Sequence, residues 1–536
     1  MTKKQVSLLS FLTVIALVLG LLISRRLWFR LDLTRNKAYT ISQVSRNLHA
    51  EIPDQVRITY YISGRLTAVR PEPGEITDLL REYAAYSKGK IRLVVRDPAK
   101  AGLTQTVEQL GIIPQQIQIV ERDEASLATV YTGIVIEYLD RAEVLPWVFT
   151  LDTLEYDLTS RIRSLVRGTQ REAGILLGGA GKEWDSDYQY LNQAFIQSGF
   201  RLRRFSPGEE IPDALPVLFV FGGTEELDEW ALYRVDRYIQ GGGKVFFSLE
   251  TVAIDPGGGF EARVMTDQGL IAMVSFYGAT VKPELVLDRS ALTLPFPTMG
   301  PSGIPQYQLV RYPHWIGVLE QNGNPENPIT AGFGGVDLFW PSPIELNPPE
   351  GISGIPLFFS TPDAWLMTRD FTVNPLAGYA FEREEPDTRG VKILGTALSG
   401  KFPSWFEGVP KPVREGSGEE LPDMPAEPRD SRIVVVGDTD MGTTLIQYTQ
   451  RWRNVDFLLQ AADWLGNDDD IIGIRNRPQT GRLDKLSDPV KRIKAMIFAR
   501  LLNMVIIPLA LIGLGILRAW KRRRASVPGK ELSDGI

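Results

Sequence analysis

The chain of 536 residues has no cysteine and only two histidines, His49 and His314. The first absence removes disulfides, thiolate metal sites and cysteine nucleophiles together, and leaves the redox compartment open. The second rules out a multi-histidine metal centre, because the two imidazoles lie far apart in sequence. No nucleophile-elbow motif is present, so no Ser, His and acid grouping can be assembled. A Walker loop is missing too. The nearest string, "GGAGKEWD" (178–185), has Leu176 where that loop needs glycine and Glu183 where it needs a hydroxyl for magnesium. Internal repeats are also absent.

Charge is missing from two stretches. Residues 5–24, "QVSLLSFLTVIALVLGLLIS", carry none, and at about 1.5 Å per residue they cover a hydrocarbon layer of roughly 30 Å. "LLISRR" lacks the small-residue pattern of a cleavage site, so a retained anchor is expected rather than a signal peptide. Residues 501–517, "LLNMVIIPLALIGLGIL", are again uncharged, and Arg518, Lys521, Arg522, Arg523 and Arg524 follow directly. That cluster places the C-terminus on the cytoplasmic side, and two spans then place the N-terminus there as well. Arg25, Arg26 and Arg30 at the first span, and Lys491, Arg492 and Lys494 at the second, pull the other way. The expected address is the cytoplasmic (inner) membrane, with residues 27–490 extracytoplasmic. The tails 1–26 and 491–536 carry +4 and +8, so the middle carries −18 of a net −6. Such an acidic domain is a poor partner for nucleic acid or an anionic membrane surface.

What is present is an α/β pattern. After the first span, Thr40 and Gln43 have capping-box spacing, and Ile41, Val44 and Leu48 follow at helical intervals. "VRITYYIS" (56–63) alternates as a half-buried strand does, helix 75–87 shows Ile76, Leu79, Leu80 and Tyr83 on one face, and 91–98 is a strand again. A short helix near 106–111, strands near 116–120, 130–138 and 143–149, and a helix with Leu154, Leu158, Ile162 and Leu165 on one stripe complete a βαβα, ββ, α order. This resembles a thioredoxin-like fold in architecture only, since the Cys-x-x-Cys pair is absent.

From 172 the strands become continuous apolar runs separated by helices: 173–179, helix 186–199, 216–223, helix 226–240, 241–250, then 431–440 and helix 454–466. That pattern predicts a doubly wound parallel sheet, covered on both faces. Between these runs, 290–430 is rich in Pro and Gly and reads as an insertion, with 407–431 an exposed acidic loop. "NDDD" (467–470) reads as a solvated helix cap. The expected domains are 1–26 (tail and first span), 27–168 (thioredoxin-like), 169–485 (Rossmann-like) and 486–536 (second span and basic tail).

Candidate site residues follow from the predicted strand ends. Gly178, Gly179, Gly222, Gly223, Glu250 and Asp438 all fall at the C-terminal ends of parallel strands, where open α/β sheets bind ligands, and Glu183 follows the first of them. Short strand-to-helix loops need glycines in any case, and Asp438 and Asp440 beside Gly437 read equally as solvated turn residues. No catalytic residue, metal ligand or cofactor is assigned.

The ordered strings "LDLTRNKAYTIS", "VRITYYIS", "LTSRIRSLVRGTQREAGILLGGAGKE", "YIQGGGKVFFSLE", "GATVKPELVLD", "IPLFFSTPDAWL", "RIVVVGDTDM" and "NVDFLLQAADWLG" resemble the auxiliary membrane subunit of gliding-motility-type ABC transporters. The resemblance implies a thioredoxin-like domain followed by a Rossmann-like domain similar to class I glutamine amidotransferases, bracketed by two transmembrane helices. It further implies an ABC permease and a separate ATPase as partners. Where the family commonly reads Gly-His-Gly-Glu, this chain reads Gly179, Ala180, Gly181, Lys182, Glu183. An amidotransferase also needs a cysteine nucleophile, which is lacking here. The expectation is a non-enzymatic subunit that binds a substrate, an envelope component or a partner protein. A hydrolase of envelope polymers, using Asp438 with Glu183 or Glu250, and a purely structural scaffold are the alternatives.

Overall fold

The computed structural model describes residues 41–466 apart from short stretches, among them 179–181, 223–226, 300–304, 378–387 and 414–419, together with Ile474 and some positions between 497 and 520. The chain divides into two compact units, Met1–Tyr39 with Pro478–Ile536, and Thr40–Arg477. The span expected at 5–24 lies outside the described residues, and the one at 501–517 is described only in part. Among the described residues no helix is long and apolar enough to cross a membrane. The bracketing helices therefore rest on the sequence.

In the second unit α1 (Gln43–Glu51) begins at Ser42, whose extended backbone lets its Oγ accept the Ser45 N–H at 3.1 Å. Ser42 therefore caps the helix; Thr40, the expected cap, lies outside the described residues. The strands β1 (Val56–Ile62), β2 (Ile91–Arg96), β5 (Thr132–Tyr138) and β6 (Arg141–Leu145) form one sheet in the order β2-β1-β5-β6. Only β1 and β2 are parallel. A separate hairpin, β3 (Gln115–Glu121) with β4 (Glu124–Val130), precedes β5, so the strand expected over 130–138 is split at Tyr131. Helices α2 (Glu72–Tyr86) and α3 (Leu154–Arg167) bury Leu80, Tyr83, Leu158 and Ile162 against Ile58, Tyr60, Ile134 and Ile136 on one face. Tyr61 and Val135 of the same strands face the other way, onto Val107 and Ile112. Gly168 closes α3 at φ 69°, a left-handed turn that suits glycine.

A seven-stranded sheet follows. Its strands and the elements around them are β7 (Arg171–Leu177), α4 (Gln189–Gln197), β8 (Phe200–Phe205), β9 (Leu218–Phe221), α5 (Glu229–Gln240), β10 (Val245–Ser248), α6 (Gly269–Phe276), a separate three-stranded sheet of β11 (Ala291–Met299), β12 (Pro305–Val318) and β13 (Val336–Phe339), then β14 (Ile352–Phe359), β15 (Ile393–Gly400), β16 (Ser431–Val436) and α7 (Arg453–Leu465). The order is β14-β15-β16-β10-β9-β7-β8, parallel from β8 to β16. Successive residues of each strand go to opposite cores. Ile175, Phe219, Phe246 and Val434 meet α4 and α7, whereas Leu176, Val220, Phe247 and Val435 meet α5 and α6. Burial on both faces is why these strands read as unbroken apolar runs.

Three expectations change. The sheet is mixed rather than wholly parallel, because β15 runs antiparallel to β16 and β14 antiparallel to β15. Those two strands come from the 290–430 segment, whose glycines and prolines hid them; Gly395, for example, lies against the Phe358 ring with no room for a Cβ. The edge strand β8, "FRLRRF", went unseen because its arginines face water. Part of the supposed acidic loop is also packed: Leu421 is buried, and the Pro422 carbonyl accepts the Tyr233 hydroxyl at 2.9 Å.

Candidate functional site

The parallel strands β7, β9, β10 and β16 end at Leu177, Phe221, Ser248 and Val436. Gly178 and Gly222 each extend the ladder by a residue, donating N–H to Phe221 O at 2.8 Å and Ser248 O at 3.1 Å. Gly222 does so at φ 98°, which requires glycine. Gly179 and Gly223 lie outside the described residues. Glu183 is exposed and gives its N–H to Asp187 Oδ2 at 2.8 Å, at the start of the single turn Trp184–Asp187.

Asp438 is not a solvated turn residue. It is 1% exposed, with Oδ2 accepting the Phe339 N–H and Oδ1 the Asp440 N–H, each at 2.7 Å. Its carbonyl accepts the Ser248 hydroxyl. Burial first, and Asp440 second, push its carboxyl well above the usual carboxylate range; the two N–H bonds and Lys182 pull the other way. The sharp turn that delivers it passes through Gly437. A Cβ there would stand 2.1 Å from the Ser342 carbonyl oxygen, and Ser342 N–H bonds Gly437 O at 2.7 Å.

Glu250, 9% exposed, is joined to the same loop: Thr439 Oγ1 donates to its Oε2 at 2.6 Å. Lys182 Nζ reaches Asp440 Oδ1 at 2.6 Å and lies 3.4 Å from Thr439 Oγ1. This pair is largely covered, with side chains 20% and 14% exposed. Burial lowers the Lys182 pKa, yet Asp440, Tyr188 and Glu250 outweigh it, and the ammonium is held above the ordinary lysine range. The Tyr188 ring stacks on Trp184 at 5.3 Å and packs against Phe221 at 5.1 Å. Its hydroxyl is buried without a hydrogen bond, and that burial raises its pKa.

The structure thus brings Gly178, Gly222, Glu250 and Asp438 to one edge and leaves Glu183 outside the bonded cluster. Lys182, Thr439 and Asp440 belong to that cluster, with Tyr188 packed beside it, and none of the four is among the site residues expected from the sequence. The available signal was charge: Lys182 and Asp440 are opposite charges a few residues beyond the ends of β7 and β16. They meet although β9 and β10 lie between those strands. Among the described residues no group of His, Asp and Glu could hold a metal ion. A cleft of about 600 Å³, lined by Lys401, Arg429 and Asp430 among others, sits beyond the start of β16, at the opposite end of that strand from Asp438.

These features define a mixed α/β protein whose parallel-strand edge is closed by a buried polar cluster. The chain belongs to the auxiliary ABC transport family: the model described as ABC-type uncharacterized transport system matches residues 170–461, more than half of the chain. A second model, a domain of unknown function, matches residues 35–137. An uncharacterized protein of Borreliella burgdorferi is 25% identical over 508 residues, 93% of this chain and 94% of its own. Among solved structures, a ThuA-like protein from Parabacteroides merdae is 10% identical at TM-score 0.28, covering 55% of this chain and 90% of its own. An exo-beta-1,4-mannosidase from an Opitutaceae bacterium is also 10% identical, at TM-score 0.24, covering 75% and 51%.

Proposed function

We propose that the chain is a membrane-anchored, non-enzymatic auxiliary subunit of an ABC transport system, working with a permease and a separate ATPase. Residues 27–490 form an extracytoplasmic domain that binds a substrate, an envelope component or a partner protein, and both termini are cytoplasmic. The family match over 170–461 carries this reading. The four-stranded order β2-β1-β5-β6 supports a thioredoxin-like first domain over 27–168. The five adjacent parallel strands, covered on both faces, support an amidotransferase-like second domain over 169–485.

The site supports binding or assembly over hydrolysis. A hydrolase needs one carboxylate to hand over a proton and another to act as base or nucleophile in a shared cleft. Both Asp438 oxygens are taken by backbone N–H groups, Glu250 is bonded to Thr439, and Glu183 is exposed.

Because the chain is free of cysteine, single thiols report topology without background. Ser417→Cys should react with a membrane-impermeant thiol reagent in spheroplasts, and Ser526→Cys only after lysis. The reverse pattern would overturn the extracytoplasmic assignment. Affinity purification of the tagged full chain from membranes should bring down a permease and a Walker-motif ATPase, and recovery of neither would overturn the transport reading.

A further inference from the structure

From Ala291 to Val310 the sequence has no Asp, Glu, Lys, Arg or His, in a chain that is 23% charged. The described residues of this stretch belong to a two-stranded arm, β11 against β12, in register from Leu292 opposite Tyr312 to Met299 opposite Pro305. Strand β13 pairs with β12 only over Trp315–Val318, so the arm runs on beyond the three-stranded part of the sheet. Residues directly opposite each other share a face. One face turns inward: Leu294 and Tyr312 are buried, and the Phe296 ring packs against Tyr312 at 6.0 Å and Phe260 at 6.5 Å. On the other face the pairs Pro295–Leu309 and Pro297–Tyr307 are all exposed, with Leu309 at 71% and Tyr307 at 75%. Single exposed apolar residues are ordinary on a protein surface, but four on paired positions make a patch.

The backbone of the arm narrows what can cover that patch. A proline within a strand must turn its nitrogen away from the ladder, so Pro295 and Pro297 remove two successive N–H donors from the open edge of β11. Their absence blocks a partner that would add a strand there. It also removes groups that would be left unsatisfied in a water-poor surrounding. At the inner end of the patch, Arg311 shares the face through its pairing with Thr293; it is exposed, and its guanidinium donates to the Arg289 carbonyl. An uncharged apolar ladder, an amphipathic Tyr ring and then an Arg on a long stem follow the order of chemistry across a lipid interface.

We propose that the β11–β12 arm is a membrane-contact element, whose Pro295, Pro297, Tyr307 and Leu309 face enters the headgroup region of a bilayer while Arg311 meets phosphate oxygens. The charge of −18 on residues 27–490 selects a zwitterionic rather than an anionic lipid surface. This contact is independent of which species the transport system moves, and it does not require the anchors to face the way argued above.

The full chain with Thr293→Cys carries one thiol, on an exposed residue of that same face, opposite Arg311. Labelled with acrylodan and reconstituted into phosphatidylcholine vesicles, it should show blue-shifted emission. That emission should be quenched by phosphatidylcholine bearing a nitroxide near the headgroup end of its acyl chain. Adding Tyr307→Asp and Leu309→Asp should abolish both effects while leaving circular dichroism and thermal unfolding unchanged, since both side chains face solvent. Water-like emission in the parent labelled protein would overturn the proposal. So would blue-shifted emission that the nitroxide lipid does not quench, which would mean that a protein surface covers the arm. Either failure leaves the topology test at Ser417 and Ser526 unaffected.

Discussion

The Asp438 carboxylate accepts the backbone N–H of Phe339 at 2.7 Å, across 99 residues of sequence. One side chain thus ties the end of β16 to the end of β13, and through its other oxygen it shapes the turn that presents Asp440 to Lys182. A residue at the expected ligand-binding edge is spent on holding that edge together.

Asp438→Ala should therefore destabilise the protein. It orphans the buried N–H of Phe339, at about 1–3 kcal/mol, and frees the part-buried N–H of Asp440 at a smaller cost, which urea unfolding would detect. An unchanged midpoint would contradict the bonding described. The ionisation adds a pH signature. With its folded pKa raised above the ordinary 3.8, the carboxyl keeps a proton that the unfolded chain releases. Stability from this group is full below that value and is lost as pH rises through the folded pKa. Asp438→Asn cannot lose a proton, so it should flatten this decline, while its amide costs stability by facing an N–H donor.

His49 should impose the opposite slope. Its ring meets the Tyr83 ring edge-on at 4.5 Å, with both nitrogens buried and unbonded, and burial lowers its pKa from 6.5 to about 4. The folded state thus resists protonation. Its contribution is full above 6.5 and is lost as pH falls through about 4, by at most about 3 kcal/mol. His49→Phe should remove that slope from thermal unfolding curves between these limits. A variant as acid-sensitive as the parent would sink the assignment.

Gly437→Ala should be among the costly glycine substitutions, because the new methyl group meets the backbone of Ser342 rather than a side chain that can swing aside. Overpacking of this kind costs about 1–3 kcal/mol, and the Ser342–Gly437 hydrogen bond would be lost with it. Gly408→Ala, where φ is 74° but no atom lies within 4 Å, tests left-handed backbone strain alone. Equal losses in the two variants would show that close approach is not what Gly437 provides.

Local pattern was enough for much of the architecture. The alternation in "VRITYYIS", the helical stripe Leu154, Leu158, Ile162 and Leu165, and the apolar runs of β7, β9, β10 and β16 are repeats set by backbone geometry, so a single chain displays them. The uncharged stretches near both termini are legible for the same reason. What the linear pattern could not carry was pairing at a distance. Strands β14 and β15 are interrupted by glycines and a proline, and they become strands because β16 offers a ladder to β15 and β15 one to β14, with Gly395 leaving the room that the Phe358 ring needs. "GDTD" reads as a solvated turn until Phe339 arrives from elsewhere in the chain to bond Asp438 and bury it. Lys182 and Asp440 likewise lie far apart in sequence, and whether they meet depends on strand order. Residue type and spacing therefore determined the periodic elements and the candidate edge. Tertiary structure alone decided which side chains at that edge stay free, because burial and hydrogen-bond partners are properties of the packed molecule.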